Sequence, residues 1–307
     1  MMKILVTGAA GFVGKYLVKE LLDNNYFVFG IGRDQYSHTA QNFIYNKIDL
    51  LDNNLWKKIN FNSVDYVIHL AGLAAVGPSF ENPIQYLNTN LDIQINLFEA
   101  CLKQNSFPTF LIISSGSLYN PNQKLPLDEN GLIEASSPYV VSKIGQEELA
   151  KYYRKRGFKC IIARPFNHIG SGQGLGFIAS DLAHQIFDNL KNKKNELLVG
   201  NLDAKRDYTD VRDIVRGYRL LIEKGLDGET YNLCSGKSYS GKSLLDKMLN
   251  FEKLNFKLVK DPLKYRSLDI KNIYGSYKKI NQATGWGPLF DINQSIKDIL
   301  SYWKNLV

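Results

Sequence analysis

The feature that most constrains the fold is a glycine-rich turn directly after the first apolar segment. Residues 3–6 form the apolar run, and Gly8, Gly11 and Gly14 follow within the next eight positions. In a strand–turn–helix unit, the first glycine permits a tight turn and the second lets a pyrophosphate approach the backbone. The third lets the helix pack closely on the sheet. The pattern predicts a dinucleotide site at the start of the chain.

The next residues complete the βαβ unit that such a turn requires. An amphipathic segment over 15–24 predicts a helix, and residues 26–31 predict a second strand. The N–H groups and positive dipole end of that helix would face the phosphates. Gly32 stands where an NAD site usually has an acid, and Arg33 follows it. Because an arginine can pair with a 2′-phosphate, NADP(H) is the expected cofactor, with NAD(H) as the alternative since Asp34 is adjacent.

Further apolar segments predict an α/β fold with a doubly wound parallel sheet of the Rossmann type. Strands are expected near residues 46–48, 64–70 and 109–113, and a long helix from about residue 84 to 104. After the third strand, Asp49 and Leu50 are candidates for contact with the adenine, unless Asp49 caps the next helix. After the fourth strand, small residues would allow backbone contacts with a cofactor, and His69 is expected to be structural.

Three polar residues form the candidate catalytic group. Ser115 follows the fifth strand at the carboxyl end of the sheet, where open α/β sheets keep their chemistry. Tyr139 and Lys143 are four residues apart, on one face of a predicted helix. The charges of Lys143 and of an oxidised nicotinamide would lower the pKa of Tyr139 and make it a proton donor and acceptor. Ser115 would hydrogen-bond the same substrate oxygen.

These motifs resemble those of the extended short-chain dehydrogenases/reductases that modify sugar nucleotides, over nearly the whole chain. Residues 164–170 (RPFNHIG) and 199–213 (VGNLDAKRDYTDVRD) are similar to strings of the GDP-mannose 4,6-dehydratase and GDP-4-keto-6-deoxymannose reductase branch. The resemblance implies an NAD(P)-dependent enzyme whose partner is a nucleoside-diphosphate sugar. It also implies a homodimer, and it implies neither nucleic acid nor membrane as a partner.

The resemblance further implies individual binding residues. Those implied for the cofactor are Gly8, Gly11, Phe12, Val13, Gly14, Arg33, Asp49, Leu50, Leu70, Ala71, Gly72, Asn90, Tyr139, Lys143 and Phe166. Those implied for the substrate are Ser79, Ser117, Asn167, Arg206 and Arg266. Three alternatives remain open: Arg206 could pair with Asp207 or Asp210, Arg266 could pair with Asp269, and Asn167 could satisfy buried backbone.

The residues after Ser115 favour one reaction within this group. Relatives often carry a glutamate two residues after the catalytic serine or threonine, where this chain has Ser117. A 4,6-dehydratase needs an acid–base group to expel the C6 hydroxyl, whereas reduction of a 4-keto group needs only a hydride, a proton and a hydrogen bond. The sequence therefore predicts an NADPH-dependent 4-ketoreductase of a GDP-linked 4-keto-6-deoxyhexose. A dehydratase or 4-epimerase is the alternative, with Glu81 or Glu134 supplying the missing group.

One motif supports a different class of protein. Residues 236–243 (GKSYSGKS) match the P-loop pattern between a possible strand at 229–233 and a helical run at 244–251. The segment before it is too polar for the central buried strand of a P-loop protein, and no later apolar strand offers a magnesium-binding aspartate. We expect a turn here, with Ser240 capping the next helix.

Composition sets the remaining limits. The 307 residues are 44% hydrophobic, which suits one large domain or two interlocked ones. We expect a Rossmann domain over 1–165 and a substrate-binding lobe over 166–307, with 209–223 returning to the first domain and the cleft between them. The net charge of +8 comes from scattered lysines, which does not indicate nucleic-acid binding.

The cysteines and the apolar runs give expectations about compartment. Cys101, Cys160 and Cys234 are far apart and odd in number, which suggests neither disulfides nor a zinc site, and no metal is expected. The first strand follows the initiator at once, and no apolar run reaches the roughly 18 residues of a membrane span. A cytoplasmic location is therefore expected.

Overall fold

The computed structural model describes residues 1–262 and 270–307. The strands are β1 (Lys3–Thr7), β2 (Phe27–Gly32), β3 (Phe43–Lys47), β4 (Tyr66–His69), β5 (Thr109–Ile113), β6 (Cys160–Pro165), β7 (Asn167–Ile169), β8 (Glu196–Val199), β9 (Lys205–Asp210), β10 (Thr230–Leu233), β11 (Ser238–Ser240), β12 (Lys257–Lys260) and β13 (Asn272–Ile273). The helices are α1 (Phe12–Asp23), α2 (Leu55–Lys58), α3 (Val76–Glu81), α4 (Pro83–Lys103), α5 (Pro138–Arg154), α6 (Ile178–Lys191), α7 (Val211–Lys224), α8 (Gly241–Glu252), α9 (Lys278–Thr284) and α10 (Ile292–Leu306).

The main sheet has seven parallel strands in the order β10-β6-β5-β4-β1-β2-β3. β1 pairs with β2 on one side and β4 on the other, so the direction in which strands are added reverses at β1. Ligands of such sheets bind in the crevice at the carboxyl ends of the strands beside this reversal. The predicted Rossmann-type α/β fold is confirmed.

The sheet is covered on both faces because the inner positions of its central strands are apolar. In β1, Ile4 and Val6 point into one core with α1 and α7, while Leu5 points into the opposite core with α4 and α5. All three side chains are fully buried. A strand that is buried on both faces has a continuous run of apolar residues. Such runs are the reason that β1 and β5 could be predicted from the sequence.

Two late segments pack onto the first half of the chain. α7 lies against α1, where Arg219 on α7 forms an ion pair with Glu20 at 2.7 Å. β10 adds an edge strand beside β6. The division at residue 165 and the return of 209–223 to the first domain remain predictions.

The C-terminal part has its own core and smaller sheets. α6, α8 and α10 pack together around a cluster that includes Leu182, Met248 and Ile296. β9 pairs with β7, β11 and β13, and β8 pairs with β12. Within the described ranges, no helix has the length and apolar character needed to cross a bilayer.

The P-loop-like string does not fold as a phosphate-binding loop. Its central residues form β11, which pairs antiparallel with β9. The Ser240 hydroxyl then accepts from the Ser243 N–H at 3.0 Å and caps α8. Lys242 forms an ion pair with Asp246 one turn later on α8. The predicted Ser240 cap is confirmed, whereas the expectation of a turn is wrong, because residues 238–240 pair with β9 as a strand.

Candidate active site

The glycine-rich turn has the shape that a pyrophosphate requires. Gly8 has φ +71°, a left-handed conformation that glycine adopts without strain. A Cβ on Gly14 would lie 2.1 Å from the Gly8 carbonyl oxygen, so only glycine allows α1 to begin so close to the turn. α1 starts after Gly11 with no side-chain cap and no acid in its first turn. Its first N–H groups are therefore open to an anion, which fits the dinucleotide.

Phe12 and Val13, in the first turn of α1, are partly buried. Phe12 stacks on His168 with ring centroids 6.3 Å apart and contacts Tyr16 edge-on at 5.7 Å. Its side chain therefore joins the cofactor turn to the segment after β6, and its direct contact with a cofactor remains a prediction.

The end of β2 leaves little space for a side chain at position 32. A Cβ on Gly32 would lie 3.0 Å from the Tyr45 hydroxyl, which donates to the Asp34 carbonyl at 2.5 Å. An acidic side chain at position 32 would therefore displace Tyr45. Arg33 is exposed and has no hydrogen-bond or ion-pair partner among the residues that the structure describes. Its guanidinium is available to a 2′-phosphate.

Asp49 does not cap a helix, so that alternative is wrong. The next helix, α2, begins after Asn54, and the exposed Asp49 carboxylate accepts from the Leu51 N–H at 3.0 Å in a local turn. Leu50 is buried. The proposed adenine contact of these two residues remains a prediction.

The loop after β4 is fixed by Asn90 from α4. The Asn90 side chain accepts from the Leu73 N–H at 2.8 Å, and its amide donates to the Leu73 carbonyl and the Ser142 hydroxyl at 3.1 and 2.9 Å. Because these bonds use its oxygen and both amide hydrogens, Asn90 shapes the loop from within. In this loop, Leu70 and Ala71 are partly buried and Gly72 is exposed.

Ser115, Tyr139 and Lys143 come together at the carboxyl ends of β5 and β4, and each is only 7% exposed. Ser115 follows β5, and Pro138 at the start of α5 places Tyr139 in its first turn. The Ser115 hydroxyl oxygen accepts from the Ser117 N–H at 3.1 Å. Its own O–H can therefore donate to an oxygen placed between it and Tyr139.

Lys143 is anchored by two acceptors. Its ammonium donates to the Ile113 carbonyl at 2.8 Å and to Gln146 Oε1 at 2.9 Å, and lies 5.9 Å from the centre of the Tyr139 ring. Burial lowers the pKa of Lys143 to about 8, while the charge of Glu147 acts in the opposite direction. Two bonds leave the third ammonium hydrogen for a ligand.

The lowering of the Tyr139 pKa by Lys143 and a bound, oxidised nicotinamide remains a prediction. Burial raises the pKa of Tyr139, the hydrogen bond with Ser115 lowers it, and the nearby Tyr86 raises it. Desolvation disfavours the phenolate more than the neighbouring hydroxyl stabilises it. Tyr139 is therefore held protonated, which is the state of a proton donor.

Behind Ser115 lies a buried ion pair that the sequence did not reveal. Arg164 on β6 binds the Glu147 carboxylate with two bonds of 2.8 and 2.7 Å, and the Ser114 hydroxyl donates to the same carboxylate at 2.5 Å. Arg164 also donates to the Tyr119 hydroxyl at 3.0 Å. This network fixes the end of β5 from inside the protein. The sequence signal that could have indicated this ion pair is the glutamate four residues after Lys143.

Phe166 contributes an apolar packing surface rather than a polar contact. Its ring is buried and stacks on Tyr119 with centroids 6.0 Å apart. A Cβ on Gly116 would lie 2.6 Å from the Phe166 ring, so a side chain there would displace it. The position after Ser115 thus has to stay small.

The predicted substrate residues are spread over the cleft side of several elements. Ser79 is fully buried and donates to the Val76 carbonyl at 2.6 Å, whereas Ser117 is partly exposed. Asn167 is exposed at the start of β7, so it does not satisfy buried backbone. Arg266 and its possible partner Asp269 lie outside the described residues.

Arg206 on β9 is half-buried and donates to the Lys205 and Ile270 carbonyls at 2.9 and 2.5 Å. Asp210, one of its proposed partners, binds Arg212 at 2.7 Å. The role of Arg206 toward a diphosphate remains a prediction, as do the roles of the other substrate residues.

Comparison with known proteins places this arrangement in a family. Residues 4–234 match the NAD dependent epimerase/dehydratase family. GDP-6-deoxy-D-mannose reductase from Pseudomonas aeruginosa is 33% identical over 315 residues, which cover 99% of this chain and 98% of the relative.

Two solved structures extend the likeness to the fold. RMD from Pseudomonas aeruginosa complexed with NADPH has a TM-score of 0.87 and 32% identity, and covers 100% of both chains. UDP-glucuronic acid 4-epimerase from Bacillus cereus, in complex with UDP-glucuronic acid and NAD, has a TM-score of 0.88 and 25% identity, again over 100% of both chains.

The chain belongs to the NAD dependent epimerase/dehydratase family, and the resemblance to the extended short-chain dehydrogenases/reductases is confirmed. Members of this family are NAD(P)-dependent enzymes of sugar nucleotides and include both reductases and epimerases. The expected cofactor, NADP(H) with NAD(H) as the alternative, agrees with the two neighbours, one holding NADPH and the other NAD.

Proposed function

We propose that this protein is an NADPH-dependent reductase of the 4-keto group of a nucleoside-diphosphate 4-keto-6-deoxyhexose, with GDP as the nucleotide. The observation that carries the proposal is the set of groups around Ser115, Tyr139 and Lys143. Among the described residues, no carboxylate hydrogen-bonds to any of the three. Glu81 and Glu134, the candidates for an elimination, are both exposed.

The three residues suffice for a reduction. The cofactor, when bound, supplies a hydride to C4 of the sugar. Ser115 donates a hydrogen bond to the C4 oxygen, and Tyr139 transfers its proton to that oxygen as the alcohol forms. Lys143 keeps its ammonium beside the developing Tyr139 phenolate and lowers the energy of that charge. The sugar nucleotide gains two hydrogens, and NADPH becomes NADP⁺.

The choice of NADPH is supported by Arg33, whose exposed side chain has no partner among the described residues, and by Gly32, where a Cβ would lie 3.0 Å from the Tyr45 hydroxyl. The choice of GDP is supported by the 33% identical GDP-6-deoxy-D-mannose reductase.

A 4-epimerase of UDP-sugars is the second candidate, because the Bacillus cereus epimerase matches the whole chain in fold. Reduction, dehydration and epimerisation give different products. The purified protein is incubated with GDP-4-keto-6-deoxymannose and NADPH, with GDP-mannose, and with UDP-glucose, and the products are identified by mass spectrometry and NMR. We expect conversion of the first compound alone, to a product with two additional hydrogens. Water loss from GDP-mannose, or a 4-epimer of UDP-glucose, would contradict the proposal.

The homodimer, the cytoplasmic location and the division into two domains are also part of this proposal. They rest on the resemblance and the composition of the chain.

A further inference from the structure

Gln146 lies three residues after Lys143 on α5, in the direction away from Tyr139. Its side chain is 1% exposed. Gln146 Oε1 accepts from the Lys143 ammonium at 2.9 Å, and Gln146 Nε2 donates to the Asn90 carbonyl at 2.9 Å. The reverse orientation would place an NH₂ group against an ammonium and an oxygen against a carbonyl. The two contacts therefore fix the amide in one orientation.

His69 at the end of β4 continues the chain of contacts. His69 Nε2 lies 3.4 Å from Gln146 Nε2, and His69 Nδ1 lies 2.9 Å from the Thr7 hydroxyl. Burial lowers the pKa of His69 to about 3, and Lys143 adds to this, so the ring is neutral. Nε2 can then accept from Gln146, and the Nδ1–H donates to Thr7.

Thr7 closes the connection at the cofactor turn. It is the last residue of β1, directly before Gly8, and its hydroxyl oxygen also accepts from the Ala71 N–H at 3.0 Å. One path of polar contacts thus runs from the Lys143 ammonium through Gln146 and His69 to the backbone that would surround the dinucleotide.

We propose that Gln146 is a positioning residue for Lys143, which it holds together with the Ile113 carbonyl so that one ammonium hydrogen remains for the cofactor. This proposal rests on the proposed function. Only an amide suits the position, because it offers an acceptor to the ammonium and a donor to the Asn90 carbonyl and His69. A glutamate keeps the acceptor and loses the donors, and a methionine of similar length offers neither.

The chain contains a matched control. Gln94 on α4 is also fully buried, and its Nε2 donates to the backbone carbonyl of Gln146 at 2.8 Å, but it does not contact Lys143. Gln94→Met therefore removes one buried amide at the same depth and leaves the Lys143 contacts in place. Gln146→Met, Gln146→Glu and Gln94→Met are compared with the natural protein, after thermal unfolding shows that each is folded.

Two measurements test the proposal: NADPH affinity by fluorescence titration, and steady-state kinetics with the 4-keto sugar nucleotide. We expect Gln146→Met to weaken NADPH binding about three- to tenfold, since one hydrogen bond to a charged group is lost. Its kcat should fall about 10- to 100-fold with an unchanged KM for the sugar nucleotide. Gln146→Glu should recover at least about tenfold of that kcat, and Gln94→Met should stay within about threefold of the natural protein.

The proposal is overturned if Gln146→Met and Gln94→Met lose affinity and kcat equally, because the effect would then be one of packing. It is also overturned if Gln146→Glu is no better than Gln146→Met in NADPH affinity. Since the binding titration needs no sugar substrate, it decides the role of Gln146 even if the natural protein fails to reduce the 4-keto compound, a failure that would count against the proposed function alone.

Discussion

Tyr139 is the residue on which the chemistry depends, because it is the proton donor in the proposed reaction. Tyr139→Phe removes the hydroxyl and keeps the ring, which packs beside Leu118 and Val140. We expect NADPH binding to be unchanged and kcat to fall by about 10²–10⁴-fold, the range for loss of a general acid. Turnover with the 4-keto sugar and a fluorescence titration of NADPH measure the two effects. Near-normal turnover in the variant would remove Tyr139 from the mechanism.

In our account, Arg33 determines the preference for NADPH over NADH. Arg33→Ala should weaken NADPH by about tenfold or more and change NADH little, because only NADPH has a 2′-phosphate for the guanidinium. Arg156→Ala is the control, since Arg156 is an exposed arginine that pairs with Glu99 near the opposite edge of the sheet. Dissociation constants for both cofactors test this. An equal loss for NADPH and NADH would assign Arg33 a structural role.

His69 gives a prediction about stability and pH. Its pKa is lowered to about 3 by burial and by Lys143, against 6.5 for an unperturbed histidine. Between these values the unfolded chain binds a proton that the folded protein does not, so stability falls as the pH falls below 6.5. From pH 7 to pH 5 this amounts to about 2 kcal/mol. Between pH 7 and pH 5, the free energy of unfolding of His69→Gln should therefore fall by about 2 kcal/mol less than that of the natural protein.

Urea unfolding at both pH values measures this difference. If His69→Gln showed the same dependence on pH as the natural protein, the imidazole would not be the group that resists protonation.

Sequence reasoning located the residues that carry a local signal and missed those that depend on tertiary contacts. Ser115, Tyr139 and Lys143 could be found because each follows a recognisable strand or helix start. Glu147 and Arg164 are 17 positions apart, and their pairing depends on how α5 lies on the sheet. The burial that raises the pKa of Tyr139 in the protein alone could not be predicted for the same reason, since burial cannot be read from spacing.

At the scale of elements, the turn between β1 and α1 is set by close backbone packing. A Cβ on Gly14 would meet the backbone of Gly8 and Ala9 at 2.1 and 2.8 Å, and backbone cannot move aside as a side chain can. We expect Gly14→Ala to destabilise the protein by about 1–3 kcal/mol and to weaken NADPH binding at least about tenfold. Urea unfolding and NADPH titration measure these two changes.

Gly77→Ala on α3 is the matched control, because nothing lies within 4 Å of a Cβ at Gly77. This substitution should be neutral or slightly stabilising, as alanine favours a helix more than glycine does. If both variants behaved alike, the close approach of α1 to the turn would not be what shapes the dinucleotide site.

Strands β1 to β5 of the main sheet were predicted and β10 was a possible strand, whereas β6 and the strands of the smaller sheets were not predicted. β5 has the bounds that the sequence indicated, and α1 starts three residues earlier than expected because Gly11 ends the turn. β9 has the sequence KRDYTD, which is too polar for a strand signal. Its backbone pairs with β7, β11 and β13, and its Asp207 side chain accepts hydrogen bonds from Ser235 and Gly236, far away in the chain.

At the scale of the whole molecule, the two parts of the chain meet around the cofactor turn. Tyr16 on α1 donates to the Ser171 carbonyl at 2.9 Å, and Arg212 on α7 binds Asp298 on α10 at 2.8 Å. The first contact joins the two parts directly, and the second holds α7 against α10. The binding of a sugar nucleotide between the two parts remains a prediction. The P-loop-like string shows the limit of a local pattern, because pairing of β11 with β9 determines its fold.

The central claim is that the protein consumes NADPH to reduce a 4-keto sugar nucleotide. The most direct test follows the absorbance of NADPH while GDP-4-keto-6-deoxymannose is converted, and compares the loss of NADPH with the amount of product. Our account predicts one NADPH oxidised for each product molecule. Conversion of a GDP-hexose or UDP-hexose with no net change in NADPH would contradict it, since the cofactor would then be recycled within each turnover.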